Sequence, residues 1–571
     1  MRRSVLLVSM ALLVGASTAQ GAALPIPGDW PYPVTGEPTR AAHAMVSTVS
    51  PLASRIGLDV LKRGGNAVDA TVAVGFALAV TWPEAGNIGG GGVMLIRDAK
   101  GNLKGLDYRE TAPAEAHRDM FQGPARPGER PSLHGHLAVG TPGTVRGLWV
   151  AHRQLGRLRW PELLQPAIAL ARDGFVVDPA LAASLQDRAA LLSRNPEASR
   201  IFQPKGKPLV AGERLVQTDL AQTLRQIAER GPEGFYKGPV AEAIAADMAQ
   251  HGGIVSEKDL ASYRAKWRSP LKARYRGHTV ISMPPPSAGG VMLLGALQMI
   301  ADDDPRKLGF HSVPMIHLLA EVERRVYVDR NTYLGDPDFI TVPLDKLLAP
   351  SYARERRASI DPKRATPVYA MKPGLEGPQT TSYVVVDREG CAVSNTYSLN
   401  DSFGSGVVAP GTGVLLNGVM DNFTTQPGLP NFYGLVQGEA NAIAPGKRML
   451  TSKTPTIVLD PKDRLLLVLG TPGGASTPVT ILQVLINVLD YGMTLKEAIN
   501  APRFRHQGLP DRIDFEPRGF LPGTLSALAA MGHHVHVEKE PMGDVKAIAV
   551  TPSGTREGYA DPRRGGVALG Y

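Results

Sequence analysis

Residues 376–387 read EGPQTTSYVVVD, and this stretch decides the fold of the chain. A Gly-Pro-Gln turn precedes two hydroxyl residues, and the apolar run YVVV that follows is typical of a strand entering a sheet core. Residues 387–390, DREG, then close a hairpin onto a second run, CAVSNTYSL at 391–399. Thr380 is therefore expected at the mouth of a buried strand. Threonine favours strands in general, so its position alone does not separate a strand-opening residue from a nucleophile.

The chain differs in predicted secondary structure on the two sides of Thr380. Residues 41–370 are mostly helical, with apolar residues recurring at every third and fourth position. After Thr380 strands dominate, with helices predicted near 478–490, 495–500 and 522–531. The strands are expected at 384–387, 391–399, 412–417, 455–459, 464–470 and 545–551. This arrangement predicts an α+β protein in which helices cover a largely antiparallel sheet.

Composition and charge limit the classes of function. The chain has 571 residues, of which 43% are hydrophobic and 20% charged, and this suits a globular protein with a large core. The net charge is +9, but the Lys and Arg residues are scattered and no zinc-finger spacing or long basic arm is present. No nucleic-acid partner is therefore predicted. The single cysteine, Cys391, excludes an intramolecular disulfide and is expected to be a small buried residue.

The beginning of the sequence has the layout of a secretory signal peptide. Residues 1–23, MRRSVLLVSMALLVGASTAQGAA, combine two arginines, an apolar run and then small residues. A periplasmic or secreted protein is expected, with a mature chain from about residue 24. The later apolar segment at 67–82 contains Asp69 and stops before Pro83, so it predicts a buried helix and no integral membrane segment.

Thr380 needs a base before its hydroxyl can act as a nucleophile. One economical base is the residue's own α-amine, which exists only if the chain is cut between Gln379 and Thr380. Acyl transfer also needs donors for a developing oxyanion, and Gly473 and Gly474 offer them between the run RLLLVLG and a helix predicted to begin near Pro478. The alternative for the two glycines is an ordinary tight turn.

Six motifs occur in one order along the chain: YRETAP at 108–113, HGHLAVGTPGTVRG at 134–147, Thr380, SNTYSLNDSFGSG at 394–406, PGKRMLTSKTPTIV at 445–458 and GTPGGAST at 470–477. This combination resembles the γ-glutamyltranspeptidase (glutathione hydrolase) family of N-terminal-nucleophile hydrolases, over nearly the whole mature chain. The resemblance implies self-cleavage between Gln379 and Thr380 into a heavy chain, 24–379, and a light chain, 380–571. It also implies a four-layer αββα sandwich built from both chains, with Thr380 as nucleophile and its freed amine as base.

The same resemblance implies how the substrate's carboxylate is held. Arg109 would grip the α-carboxylate, a role that suits a planar guanidinium able to bind both oxygens. Thr451 and Ser452 match the family's paired hydroxyls that assist this arginine, although the first of the pair is usually serine.

The remaining roles concern the reacting bond and the α-amino group. Ser398 stands where the family has a threonine whose hydroxyl helps to activate the nucleophile. Asn400 is expected near the α-amino group, and Gly473-Gly474 as the oxyanion hole. Tyr433, in the loop PNFYGLVQGEANAIAPGKR, is expected over the pocket as a lid residue, the alternative being an ordinary exposed loop aromatic.

One segment departs from the family pattern. In LLNGVMDNF, at 415–423, Val419 stands where the family usually has Gln or Glu, and Asn422 where it has Asp. Those side chains hold the substrate's α-ammonium, and losing one charge-assisted bond weakens binding by roughly 1.5–3 kcal/mol. The sequence therefore leaves the selectivity for γ-glutamyl groups open. Asp421 could compensate only if the local register shifts.

Two histidine clusters and a glycine run suggest cofactors only superficially. His134 and His136, and the HHVH run at 533–536, lack a third metal ligand at an identifiable spacing, so no metal site is predicted. The run GNIGGGG lacks the strand-turn-helix setting of a dinucleotide site, and a close-packed turn is expected instead. No cofactor is predicted, and the absence of a Gly-x-Ser-x-Gly elbow argues against an α/β-hydrolase.

Three hypotheses of function follow. The first is a γ-glutamyltransferase and glutathione hydrolase, in which Thr380 attacks the γ-amide and water or an amino acid resolves the acyl-enzyme. The second is an amidase or acylase that prefers glutaryl-like acyl groups without an α-amine, as Val419 and Asn422 would allow. The third, from a different class, is an exported binding protein that has lost turnover.

Overall fold

The computed structural model describes residues 24–34, 36–123, 129–367, 380–426 and 428–571. In chain order its strands are β1 Thr39–Ala41, β2 Met45–Thr48, β3 Gly91–Arg97, β4 Leu103–Tyr108, β5 Phe175–Val176, β6 Arg214–Leu215, β7 Lys266–Arg268, β8 Leu271–Tyr275, β9 His278–Ser282, β10 Thr381–Val386, β11 Ala392–Ser398, β12 Thr456–Leu459, β13 Leu465–Gly470, β14 Phe504–Arg505, β15 Ile513–Phe515, β16 Val535–Val537, β17 Lys546–Val550, β18 Arg556–Ala560 and β19 Val567–Gly570.

The α-helices are α1 Pro51–Lys62, α2 Ala67–Thr81, α3 Thr144–Leu155, α4 Trp160–Asp173, α5 Pro179–Asp187, α6 Ala189–Leu192, α7 Pro196–Phe202, α8 Thr218–Arg230, α9 Glu233–Tyr236, α10 Pro239–Gln250, α11 Glu257–Ser262, α12 Ala288–Met299, α13 Pro305–Leu308, α14 Val313–Tyr333, α15 Leu344–Leu347, α16 Pro350–Ala358, α17 Thr477–Leu489, α18 Leu495–Asn500 and α19 Pro522–Ala530.

The predicted hairpin forms the middle of a sheet. β10 and β11 pair antiparallel with Val386 opposite Ala392, and the N–H of Asp387 donates to the carbonyl of Cys391 at 3.0 Å. On their outer sides β10 pairs with β2 and β11 with β3. Both strands therefore have hydrogen-bonding neighbours on each side, which lets their backbones be buried.

Side chains along β10 alternate between two cores. Val384 and Val386 belong to an apolar cluster between two sheets, whereas Tyr383 and Val385 belong to a cluster beneath helices. Successive side chains of a strand point to opposite faces. A strand buried on both faces therefore needs the uninterrupted apolar run seen in the sequence.

Two seven-stranded sheets stack on each other. Their strand orders are β1-β18-β17-β13-β12-β9-β8 and β19-β2-β10-β11-β3-β4-β7. Strand pairing is antiparallel throughout both sheets. Each sheet takes strands from both sides of Thr380, so neither side contains a complete sheet.

Helices cover the outer face of each sheet. One apolar cluster joins α1, α2, α4 and α8 to the sheet that contains β10. A second joins α12, α14 and α17 to the other sheet, and the third lies between the sheets. The order of layers is helices, sheet, sheet, helices, which confirms the predicted αββα architecture.

The helix α2 is the apolar segment predicted to be buried. The side chain of Asn66 accepts hydrogen bonds from the N–H groups of Val68 and Asp69 at 3.0 Å each, and the carboxylate of Asp69 accepts one from the N–H of Asn66 at 3.0 Å. Every residue of α2 is buried. Among the helices of the described ranges, none is long and apolar enough to cross a membrane.

Most predicted elements after Thr380 form within a few residues of their expected ends, but the strand expected at 412–417 does not. That segment makes only isolated bridges, Val408 with Leu415 and Gly89 with Leu416. Gly411 and Gly413 adopt φ angles of +70° and +65°. These left-handed turns suit glycine and cannot continue an extended strand, so this prediction was wrong.

Two further predictions concern Cys391 and the leader. The thiol of Cys391 is free and buried, as expected, and burial raises the pKa of this thiol above its ordinary value. The signal peptide predicted at residues 1–23 lies outside the described residues and stays a prediction.

The interleaved sheets predict that residues 380–571 do not fold alone. Without residues 24–379, β10 and β11 lose their partners β2 and β3, and the apolar faces of both sheets are exposed. We expect the isolated fragment to show no cooperative thermal transition by far-UV circular dichroism and to aggregate on size exclusion. Co-expression of fragments 24–379 and 380–571 is the matched control and should restore a cooperative transition. A monomeric 380–571 fragment that melts cooperatively would contradict this prediction.

Candidate active site

Thr380 and Ser398 lie across from each other at the end of the central hairpin. Thr381 is opposite Tyr397 in the β10–β11 ladder, and continuing this register by one residue places Ser398 opposite Thr380. Directly opposed residues in an antiparallel pair have Cβ atoms roughly 5 Å apart. Both side chains are buried and both line the same cavity. The two hydroxyls are therefore neighbours on one wall of this cavity.

A chain of hydrogen bonds runs through the two asparagines predicted to contact substrate. The side-chain N–H of Asn422 donates to Oδ1 of Asn400 at 2.8 Å, and Oδ1 of Asn422 accepts from the guanidinium of Arg109. Asn400 donates in turn to the carbonyl of Gly418 at 2.8 Å. Asn400 has a φ of +89°, a left-handed conformation that asparagine tolerates better than most residues. The network holds Asn400 and Asn422 at the cavity in fixed orientations.

Arg109 is completely buried behind Asn422. Its guanidinium donates to the carboxylate of Glu110 at 2.7 Å, and its Nε has no hydrogen-bond partner among the described residues. Arg109 follows β4, and its carbonyl accepts a hydrogen bond from the hydroxyl of Tyr263 at 2.8 Å. The predicted carboxylate-binding arginine thus lies next to the cavity with donor capacity still open.

The paired hydroxyls Thr451 and Ser452 line the same cavity. Oγ of Ser452 accepts a hydrogen bond from Nε of Arg330 at 3.3 Å, and Oγ1 of Thr451 accepts from Nζ of Lys453 at 3.5 Å. Arg330, on α14, and Lys453 also line the cavity. Each hydroxyl is therefore backed by a buried cation.

Gly473 and Gly474 form the turn between β13 and α17. Their φ angles are +139° and +53°, and a positive φ favours glycine. Neither backbone N–H donates a hydrogen bond to a residue in the described ranges. Gly474 lines the cavity. Two unpaired amides just before a helix are suited to hold a developing negative charge.

Tyr433 closes the cavity on the side of this turn. Its hydroxyl donates to Asn400, with distances of 2.8 Å to Oδ1 and 3.0 Å to the carbonyl oxygen. A Cβ added at Gly474 would lie 2.4 Å from Cε1 of Tyr433, so the ring is packed directly over the glycine. Only 7% of Tyr433 is exposed, which contradicts the alternative of an exposed loop aromatic.

Val419, one of the two positions that depart from the family pattern, and Asp421, the acid that could compensate, both have their partners outside the cavity. Val419 packs in an apolar cluster with Met420 and Phe423 and does not line the cavity. Asp421 accepts hydrogen bonds from the hydroxyl of Ser132 at 3.0 Å and from the N–H of Phe432 at 2.9 Å. Burial raises the pKa of the Asp421 carboxyl. Asp421 is thus occupied elsewhere and does not supply the charge that Asn422 lacks.

Sequence reasoning missed seven residues that line the cavity: the polar Arg330, Asn431, Lys453 and Thr477, and the apolar Leu435, Leu450 and Ala475. Arg330 lies 50 residues before Thr380 in sequence, within a helix whose pattern gives no sign of a site. The other six lie in the quoted motifs, and Lys453 directly follows the paired hydroxyls, so their positions in these motifs were the available signal. Burial lowers the pKa of Arg330 to about 10.

The histidines singled out earlier lie away from this cavity. His134 contacts Asp401 at 2.9 Å, and His533 contacts His317 at 2.7 Å. His136 lies 3.0 Å from Asp247, which also approaches His251 at 3.1 Å.

Gln379, the predicted residue before the cut, lies outside the described residues.

Comparisons with known proteins identify a family and several similar chains. A family model described as Gamma-glutamyltranspeptidase matches residues 53–571. The glutathione hydrolase proenzyme of Escherichia coli (strain K12) is 47% identical over 566 residues, 97% of each chain. The acylase ACY 1 proenzyme of Pseudomonas sp. (strain SE83) is 38% identical over 555 residues, 96% of this chain and 97% of that one. The crystal structure of cephalosporin acylase from Bacillus halodurans has a TM-score of 0.84 at 30% identity, covering 95% of this chain and 99% of that one.

Stacked antiparallel sheets between helix layers, with a threonine at the mouth of a central strand, define an N-terminal-nucleophile hydrolase. Within that class, the chain belongs to the γ-glutamyltranspeptidase family. It is therefore an enzyme, and the hypothesis of a binding protein without turnover is not retained.

The contact between Tyr433 and Gly474 predicts the effect of one added methyl group. In Gly474→Ala the new Cβ would lie 2.4 Å from the ring of Tyr433, so the turn that carries both glycine amides must shift. We expect kcat to fall about 100-fold, the usual effect of misplacing an oxyanion donor. Steady-state hydrolysis of a γ-glutamyl anilide measures this.

Tyr433→Ala supplies the control, because it removes the ring that the new methyl group meets. In a double-mutant cycle, the loss in kcat caused by Gly474→Ala is measured in the wild type and again in Tyr433→Ala. We expect this loss to be about tenfold smaller in the Tyr433→Ala background. Wild-type kcat in Gly474→Ala would show that this turn does not bear on the reaction.

Proposed function

We propose that this protein cleaves itself before Thr380 and then acts as a γ-glutamyltransferase and glutathione hydrolase. The observation that carries the proposal is the meeting, in one cavity, of Thr380 with Ser398, Asn400, Ser452 and Gly474. These residues come from separated motifs, and membership of the family supports their joint role.

The reaction is a double displacement at an amide carbonyl. After cleavage, the α-amine of Thr380 takes the proton of its own hydroxyl while Oγ attacks the γ-carbonyl. The oxyanion is held by the amides of Gly473 and Gly474. The leaving amine receives the proton as the C–N bond breaks, leaving a threonyl ester. Water or the amine of an amino acid or peptide then attacks this ester and releases the acyl group.

Ser398 and the carboxylate-binding groups position the two ends of the acyl group. Ser398, opposite Thr380, can hydrogen-bond to the nucleophile and orient it. Arg109, Thr451 and Ser452 hold the α-carboxylate, and Asn400 and Asn422 face the α-amino group. These residue roles and the names of the relatives both favour glutathione as the acyl donor.

A glutaryl-type amide acylase is the second candidate, and one observation favours it. The groups that line the cavity include no carboxylate within the described ranges, and Asn422 stands at the position expected to hold the α-ammonium. Relatives and a solved structure named as acylases share this fold over almost the whole chain.

Export to the periplasm or beyond is part of the proposal and rests on the leader predicted at residues 1–23.

The mechanism predicts two chains in the purified protein, because the base exists only after cleavage. A denaturing gel should resolve them, and N-terminal sequencing of the smaller should begin at Thr380. Thr380→Ala should remain one intact chain, whereas Thr380→Ser, which keeps a hydroxyl, should still be cut. Wild-type protein that is fully active as a single uncut chain would refute the mechanism.

Asn422→Asp tests the recognition of the α-ammonium. One oxygen of the new carboxylate would replace the amide nitrogen that now donates to Oδ1 of Asn400. This carboxylate oxygen and Oδ1 of Asn400 are both acceptors, so they need a cation between them. A bound γ-glutamyl group supplies it, whereas a glutaryl group does not. We expect kcat/KM to shift toward γ-glutamyl over glutaryl anilide by roughly ten- to a hundredfold.

Asp421→Asn is the matched control for this substitution. It removes the neighbouring carboxylate, which is bonded to Ser132 and Phe432 and does not line the cavity, so the donor ratio should stay within about twofold. If the wild type already prefers γ-glutamyl by several orders of magnitude, another group holds the ammonium and Asn422 does not set the selectivity.

A further inference from the structure

Two buried cations lie at the carboxylate end of the cavity without an acidic partner. Lys453 and Arg330 are 5% and 2% exposed, and both line the cavity. Neither forms an ion pair with a residue in the described part of the chain. Buried charges in proteins are normally paired, so two unpaired cations at one cavity are unusual.

The groups around Lys453 do little to balance its positive charge. The only hydrogen bond from its ammonium to a described residue is the contact of 3.5 Å with Oγ1 of Thr451. Burial lowers the pKa of Lys453 well below its ordinary value, and the charge of Arg109 lowers it further, while Glu110 opposes the shift. Glu110 is already bonded to Arg109 at 2.7 Å. The ammonium of Lys453 therefore lies in an environment that an added anion would stabilise.

Arg330 has only neutral acceptors. Besides Oγ of Ser452, its guanidinium donates to Oδ1 of Asn331 at 2.8 Å and to Oε1 of Gln437 at 3.2 Å. These bonds fix the guanidinium in place without neutralising it.

The two cations also determine in which direction the hydroxyls of Thr451 and Ser452 form hydrogen bonds. A hydroxyl oxygen that accepts a hydrogen bond from a cation keeps its own proton for another acceptor. Thr451 and Ser452 both accept from a cation, so both are set to donate. Two donating hydroxyls backed by two cations make a site for an anion and repel an ammonium.

We propose that Lys453 is a specificity-determining residue, whose ammonium, together with Arg330, selects acyl donors that carry a carboxylate and no α-ammonium, such as monoamides of glutaric acid. This proposal rests on the acyl-transfer mechanism proposed for the same site, and between its two candidate donors it favours the second, the glutaryl-type amide. Lys453 strengthens the hold on any donor carboxylate, while the α-ammonium of a γ-glutamyl group meets a positive pocket in which Asn422 offers no negative charge.

The test compares three anilides with one leaving group in wild type and Lys453→Met. The acyl groups are butyryl, without charge, glutaryl, with a carboxylate, and γ-glutamyl, with a carboxylate and an ammonium. In Lys453→Met we expect kcat/KM to fall at least tenfold for glutaryl, mainly through KM, to fall less for γ-glutamyl, and to fall least for butyryl. The inhibition constant of free glutarate should rise by a similar factor. Lys453→Arg, which keeps the charge, should retain most of the glutaryl preference.

Lys447→Met is the matched control. Lys447 is also a buried lysine, but it donates to the carbonyls of Ala440 and Ala442 at 2.9 Å each and does not line the cavity. Its substitution should leave the ratios among the three donors unchanged. If Lys453→Met fails to fold, Lys453→Arg and Lys453→Gln carry the test, with the glutaryl preference kept by arginine and lost by glutamine.

The outcomes separate this proposal from the one on which it rests. Equal losses for all three donors in Lys453→Met, or an unchanged glutaryl-to-γ-glutamyl ratio, would overturn the role of Lys453 while leaving acyl transfer intact. Failure of the processed wild type to turn over any of the three anilides would instead overturn the proposed function.

Discussion

The antiparallel register of β10 and β11 is the constraint on which the rest of this structure depends. It sets Ser398 across from Thr380, and it buries β10 on both faces, between the sheets and beneath α2. The neighbouring backbone follows this register closely. A Cβ added at Gly90 would lie 2.3 Å from the carbonyl oxygen of Ser398, so the glycine run before β3 lets that strand reach the end of β11. A slip of one residue would turn the hydroxyls away from each other and the apolar side chains to the wrong faces.

The charge distribution around the cavity follows a simple rule of low-dielectric environments. A buried cation is stabilised only by an acid, by several well-placed acceptors or by a ligand. Arg109 has an acid in Glu110 and an acceptor in Asn422. Arg330 has neutral acceptors, and Lys453 has one weak contact. The charge of Arg109 is thus balanced by the protein itself, whereas the charge of Lys453 would be balanced by a bound anion. The burial of these cations therefore bears on which substrate the cavity accepts.

The two sides of Thr380 depend on each other for both stability and chemistry. Thr380, the glycine turn and Tyr433 come from residues after 379, whereas Arg109 and Arg330 come from residues before it. Both sheets also mix strands from the two sides. A cut before Thr380 would thus leave two chains that stay joined by the shared sheets and the cores between layers. The energy that holds the cavity together is the same burial of apolar surface that holds the fold together.

The sequence by itself determined the central hairpin, the buried helix α2 and the residues of the motifs, because local apolar patterns and turn residues act over a few positions. It failed at 412–417, where Gly411 and Gly413 adopt left-handed turns that an apolar pattern does not reveal. Only the tertiary structure decided that Asp421 faces Ser132, that Val419 joins an apolar cluster, and that Arg330 reaches Ser452. These contacts join segments far apart in the chain, and their partners are fixed by the packing of layers rather than by neighbouring residues.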